Sequence, residues 1–91
     1  MVQLEGDIKM KTNLFANAIQ NRNKLRFLYN LNEIELEPYY ITTNRIGDKV
    51  VYGRVSSTSE VKMFRYNKIY NIKVLNSTKF SPIIPILPIA S

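Results

Sequence analysis

From Lys24 to Phe27 and again from Glu33 to Glu37, apolar and charged residues alternate with a period of two, which restricts these parts of the chain to antiparallel β structure with one wet face. Leu25, Phe27 and Tyr29 alternate with Lys24, Arg26 and Leu28 in a first strand, and Asn30-Leu31-Asn32 reads as a turn. From Glu33 to Glu37 the pattern is cleaner, with Ile34 and Leu36 facing one way and three glutamates the other. Pro38 has no N–H for a ladder, so it places a strand end or an edge there, and a third strand resumes at Tyr39 to Thr43. The segment 44–48, containing Gly47, is a loop into a fourth strand at Lys49 to Ser56. A fifth strand runs from about Glu60 to Tyr66, Asn67-Lys68 bends the chain, and Ile69 to Leu75 is a sixth extended segment.

Upstream of the strands the period changes. Leu14, Phe15, Ala18 and Ile19 share one face at helical spacing, so a helix is expected over about Asn13 to Arg22, capped by Thr12 or Asn13. Asn21 and Asn23 end it, because asparagine competes for its own backbone. Residues 1–11 carry mixed charges with little periodicity and read as a loose lead-in. The expected fold class is therefore mainly β: a small, strongly bent β barrel over residues 12–80 with one N-terminal α-helix. Beyond it, residues 81–91 form a tail with proline at positions 82, 85 and 88, a spacing that suits an extended polyproline II segment. Its isoleucines and Leu87 are apolar enough to favour docking on another surface, a larger partner or a second copy.

Composition removes several functions. With no Cys and no His, the chain has no zinc cluster, disulfide framework or catalytic triad, and no cofactor is called for. The three strand glutamates are spread along one solvated face without a partner base or nucleophile motif, so an enzyme is not expected. The first seven residues contain Glu5 and Asp7 where a signal peptide would be basic and then apolar, and no membrane span is visible, so a cytosolic setting is expected.

Charge points towards a partner. The net charge is +6, but residues 1–48 balance six Lys/Arg against six Asp/Glu, whereas residues 49–91 hold seven Lys/Arg against Glu60 alone. That asymmetry is the electrostatic footprint of a protein that meets phosphates or another polyanion. If the turn after the fourth strand has an odd number of residues, such as Ser57-Thr58-Ser59, Arg54 lies opposite Lys62, Tyr52 opposite Phe64 and Val50 opposite Tyr66, all on one face. Two opposed cations would then hold an anion between them, while Tyr52, Phe64 and Tyr66 stack bases, as in sequence-tolerant single-strand binders; the alternative is that one or two of these rings, Phe64 first, belong to the core. An even turn would separate the two cations. Arg65, of opposite parity to Lys62, would point inward, with a second-strand glutamate as its alternative partner.

These residues together resemble a WYL domain, a prokaryotic module named for a Trp-Tyr-Leu tripeptide. The resemblance covers about Leu14 to Leu75. It rests on the helix Leu14 to Asn21, the strand ending in Tyr29, Pro38 with apolar residues after it, and the Val50-Val51-Tyr52 strand. Above all it rests on Lys62-Met63-Phe64-Arg65-Tyr66-Asn67-Lys68-Ile69, which is similar to the family's Arg-x-Phe-Arg-x-x-Arg-Ile pattern. The tripeptide itself aligns with Val50-Val51-Tyr52, and Lys62 and Lys68 stand where the family has arginine. The resemblance implies an Sm-like or SH3-like barrel preceded by a helix, in a ligand-sensing or nucleic-acid-sensing part of transcription regulators, repair proteins or phage-defence proteins. It also implies that Tyr29, Lys62, Arg65 and Lys68 contact an anion. The reading expected from the sequence is thus a non-enzymatic regulator or adaptor that binds single-stranded nucleic acid or an anionic small ligand. Its contacts would be Tyr29, Tyr52, Arg54, Lys62, Phe64, Arg65 and Lys68. The alternative is an interaction module that self-associates through its tail and sheet edges.

Overall fold

Helix α1 runs from Glu5 to Asn21, eight residues earlier than the apolar spacing suggests, so the expected loose lead-in is helical from Glu5 onward. The apolar stripe that ought to have marked those turns is broken by Lys11, which is nevertheless buried. Its ammonium donates to the Tyr66 carbonyl at 2.7 Å and pairs with Asp7 one turn away at 3.1 Å. A buried charge satisfied on two sides substitutes for an apolar residue, and hydropathy cannot reveal it. The helix ends where Arg22 adopts a left-handed φ of 59°, the conformation that commonly closes a helix.

The computed structural model describes residues 5–81, so the conformation expected for the proline-rich tail lies outside the described residues apart from Ser81. After α1 come β1 (Asn23–Tyr29), β2 (Asn32–Thr43), β3 (Lys49–Val55), β4 (Val61–Arg65), a 3-10 turn (Tyr66–Lys68) and β5 (Ile69–Lys79). They form one antiparallel sheet in the order β4-β3-β2-β1-β5. The architecture is therefore mainly β with one N-terminal helix. Among the described residues the sheet is open, with β4 and β5 as its edges, and has five strands where six were expected.

The missing strand is explained by Pro38. Rather than ending a strand it sits inside β2, opposite Gly53, where the register with β3 shifts and Tyr39 is the extra residue of a bulge. The β1 ladder stops at the Leu25–Leu36 pair, so Pro38 lies beyond it and its missing N–H breaks nothing there. Gly53 permits the close approach: a Cβ at that position would run into the Glu37 carbonyl oxygen and the Leu36 side chain. Between β1 and β2 the turn is only Asn30-Leu31, both left-handed with φ of 51° and 66°. That is the primed geometry which matches strand twist.

Alternation then decides the core. Leu25 and Phe27 of β1, Leu36 and Ile41 of β2, Val51 and Val55 of β3, Phe64 of β4 and Ile69 of β5 join Phe15, Ala18 and Ile19 of α1 in one buried cluster. Each large side chain so buried contributes about 1.5–3 kcal/mol. The sheet bends strongly around this cluster. Phe64 on β4 meets Tyr29 on β1 edge to face at 4.9 Å, although β3 and β2 stand between those strands in the sheet.

Candidate nucleic-acid and anion interface

The position of every basic residue near β4 follows from one loop. Val55 N donates to Glu60 O at 2.8 Å and Ser59 N donates to Val55 O at 2.8 Å, which closes a connection of four residues, Ser56 to Ser59. An even loop gives the pairs Val50–Arg65, Val51–Phe64, Tyr52–Met63, Gly53–Lys62 and Arg54–Val61. Arg54 and Lys62 therefore lie on opposite faces, and the expected cation pair with an anion between them does not form. Ser59, with φ of 62°, takes the left-handed position of this loop.

The aromatic residues are redistributed by the same shift. Phe64, expected as a stacking surface, is only 4% exposed and packs edge-on against Phe27 at 5.4 Å as well as Tyr29. Tyr66 is also buried, against Phe15 at 5.1 Å, with its hydroxyl 3.1 Å from Thr12 Oγ1. Burial pushes the Tyr66 phenol above its ordinary value of 10.0, and the Thr12 hydrogen bond partly opposes that shift. Tyr52 instead stacks on Tyr40 with ring centres 4.7 Å apart and planes 15° from parallel. Burial, and secondarily the neighbouring Tyr52, raise the Tyr40 phenol. Cross-strand pairing extends this row to Met63, which is 38% exposed on the edge strand. Sequence reasoning missed Tyr40 and Met63 because both depend on a bulge and a loop parity that composition does not display.

Salt bridges sort the cations into two groups. Arg54 Nη1 donates to Glu37 Oε2 at 3.3 Å and its Nη2 to Ser59 Oγ at 3.0 Å. Lys24 lies 3.7 Å from Glu35 and 3.9 Å from Glu37, and Arg26 lies 3.8 Å from Glu33 and 3.6 Å from Glu35. The three glutamates do share a face, yet Glu37 is buried rather than solvated, at 5% exposure. Arg54 is thus engaged internally. Arg65 does have opposite parity to Lys62, but it points away from the helix-covered face, opposite Val50, and among the described residues no ion pair joins it to a glutamate. Its backbone N–H donates to the Tyr29 hydroxyl at 3.3 Å, so Tyr29 touches the backbone of Arg65. Lys62 and Lys68 are exposed. Among the described residues none of Lys62, Arg65 and Lys68 has a carboxylate partner.

Three cations without acids along one free edge strand and the turn after it, beside a tyrosine-methionine row, can receive phosphate groups without first breaking internal ion pairs. Among the described residues no cluster of metal-ligating side chains occurs, and no helix is long and apolar enough to cross a membrane.

The fold and this edge define a class: a small antiparallel sheet domain with an N-terminal helix and a basic rim. Among solved structures the chain is similar to the proteasome accessory factor B/C (PafBC) of Arthrobacter aurescens, with a TM-score of 0.71 and 22% sequence identity. The match covers 78% of this chain and 12% of that one, so the chain corresponds to a small part of the larger protein. The likeness supports a WYL-like fold for this chain. No family model matches the sequence, and no curated protein matches it.

Proposed function

We propose that this chain is a non-enzymatic, ligand-sensing or nucleic-acid-binding module of a cytosolic regulator or adaptor. It would take single-stranded nucleic acid or a nucleotide-like anion along β4 and the 3-10 turn. The observation that carries this reading is that, among the described residues, Lys62, Arg65 and Lys68, the basic positions that match the WYL pattern, have no acid partner, while Lys24, Arg26 and Arg54 each lie within ion-pair distance of Glu33, Glu35 or Glu37. Because β4 is an edge, a polyanion running alongside it can reach both Lys62 and Arg65 although they project to opposite faces. Three residues of strand separate them by about 10 Å. Tyr52 offers aromatic contact on the face that carries Arg65, and Tyr29 holds the Arg65 backbone. In this reading Phe64 and Arg54 support the site from behind rather than touching ligand. The Sm-like or SH3-like form of the sheet belongs to the same proposal, supported by the strong bend that brings Phe64 and the Arg65 backbone to Tyr29.

Fluorescence anisotropy with a labelled single-stranded oligonucleotide, run from low to high salt, tests the proposal. Saturable binding that weakens steeply with salt and is lost when Lys62, Arg65 and Lys68 are changed together to alanine is the expected result. No saturable binding at low salt would remove the nucleic-acid version.

One observation favours a second reading, a self-association or protein-docking module. The unpaired edge β4 exposes Val61 (42%) and Met63 to solvent on the face that carries Tyr52. Light scattering on the full chain and on a chain ending at Phe80 separates edge association from association through residues 81–91. A monomer in both cases excludes it.

A further inference from the structure

The ladder between β1 and β5 holds a second place where anion chemistry converges, away from Lys62, Arg65 and Lys68. Arg26 and Lys73 are direct cross-strand partners, so the two side chains emerge on the same face next to each other. Like charges in that relation destabilise a sheet unless something of opposite sign joins them. Arg26 has only loose ion pairs, to Glu33 and Glu35, and Lys73 has none among the described residues. Summed along this face, Lys24, Arg26, Arg54, Arg65 and Lys73 stand against Glu33, Glu35 and Glu37, five positive charges to three negative. Among the described residues the two left without an acid are Arg65, across the sheet on β4, and Lys73, beside Arg26.

Space is provided in the same place. Immediately after the Arg26–Lys73 pair the register shifts, because Asn71 and Ile72 oppose Phe27 alone and Asn71 adopts a left-handed φ of 54°. The bulge opens a notch of about 460 Å³ lined by Arg26, Leu28, Glu33, Asn71, Ile72 and Lys73. That is within the range of small-molecule sites, roughly 300–1,000 Å³. We propose that this notch binds the phosphate group of a small phosphomonoester, with the oxyanion bridging Arg26 and Lys73, the Asn71 side chain beside it, and the organic body over Leu28. Charge-assisted hydrogen bonds from a guanidinium and an ammonium to one phosphate are shorter and stronger than neutral ones, and the bridge relieves the repulsion between the two cations.

The test is a titration of the isotopically labelled full chain with inorganic phosphate and with phenyl phosphate, followed by NMR, with sodium chloride at matched ionic strength as control. The variant Lys73→Glu sets an acid opposite Arg26, an attractive pair that keeps the fold, and its melting temperature reports whether the repulsion was real. Saturable shifts centred on Arg26, Asn71 and Lys73 are expected, tighter for phenyl phosphate, and weakened about tenfold or more in Lys73→Glu. Phosphate should also raise the melting temperature of the native chain and not that of the variant. The proposal is overturned if chloride reproduces the shifts or if they fall only on Lys62, Arg65 and Lys68. Equal binding of the two phosphates, or an unchanged response in Lys73→Glu, overturns it as well.

Discussion

Phe64 shows how a single residue can carry the right pattern and the wrong role. Its position in a Lys-x-Phe-Arg run suggested a stacking surface, but loop parity turns its ring inward between Phe27 and Tyr29. Phe64→Ala is therefore expected to cost about 3–5 kcal/mol in urea unfolding, with oligonucleotide affinity of the folded protein little changed. Loss of binding with stability intact would return it to the ligand surface. Tyr66 supports a second prediction. Its folded pKa is raised above the unfolded value of 10.0, so its neutral form is favoured in the folded state. The associated stability is whole below about pH 10 and declines as pH rises further. Replacing Thr12 with valine removes the one contact that lowers the value, so Tyr66 should ionise later still in an alkaline absorbance titration. An earlier ionisation would contradict the hydrogen bond as drawn.

At the scale of elements, alternation in β1 and in the first half of β2 was legible because a period of two holds from Lys24 to Phe27 and again, after the turn, from Glu33 to Leu36. The loop at 44–48 was legible too: Asn44 Oδ1 accepts from Ile46 N and Asp48 N, the local bonding that makes asparagine a turn residue. What hydropathy hid was of another kind. Lys11 disguised two turns of helix by being buried and paired, and Pro38 disguised one long strand as two by sitting at a bulge. In both cases a distant partner, the Tyr66 carbonyl or Gly53, makes the local exception tolerable. The β1–β2 turn offers a direct check, since Leu31 is left-handed and 94% exposed. A left-handed non-glycine residue costs about 1–2 kcal/mol, so Leu31→Gly should stabilise the protein by about 1 kcal/mol in thermal or denaturant unfolding monitored by circular dichroism. A destabilised variant would mean that the Leu31 side chain makes contacts in solution.

Across the whole molecule, the charge asymmetry read from the sequence corresponds to a spatial one: acids cluster on β2, where they neutralise β1 and Arg54, and the β4 edge keeps its cations. If Lys62, Arg65 and Lys68 each neutralise one phosphate, the logarithm of single-strand affinity should fall against the logarithm of salt with a slope of about −2, and each alanine substitution should flatten it by about 0.7. A slope near zero would assign the contact to something other than phosphates. The tip between β3 and β4 has a consequence of its own for sequence change. Adding or deleting one residue between Ser56 and Ser59 would exchange the two sides of β4, turning Met63 and Arg65 towards the core and bringing Phe64 out into water. Viable length variants of that hairpin therefore come in steps of two, unless a compensating bulge appears further along the strand.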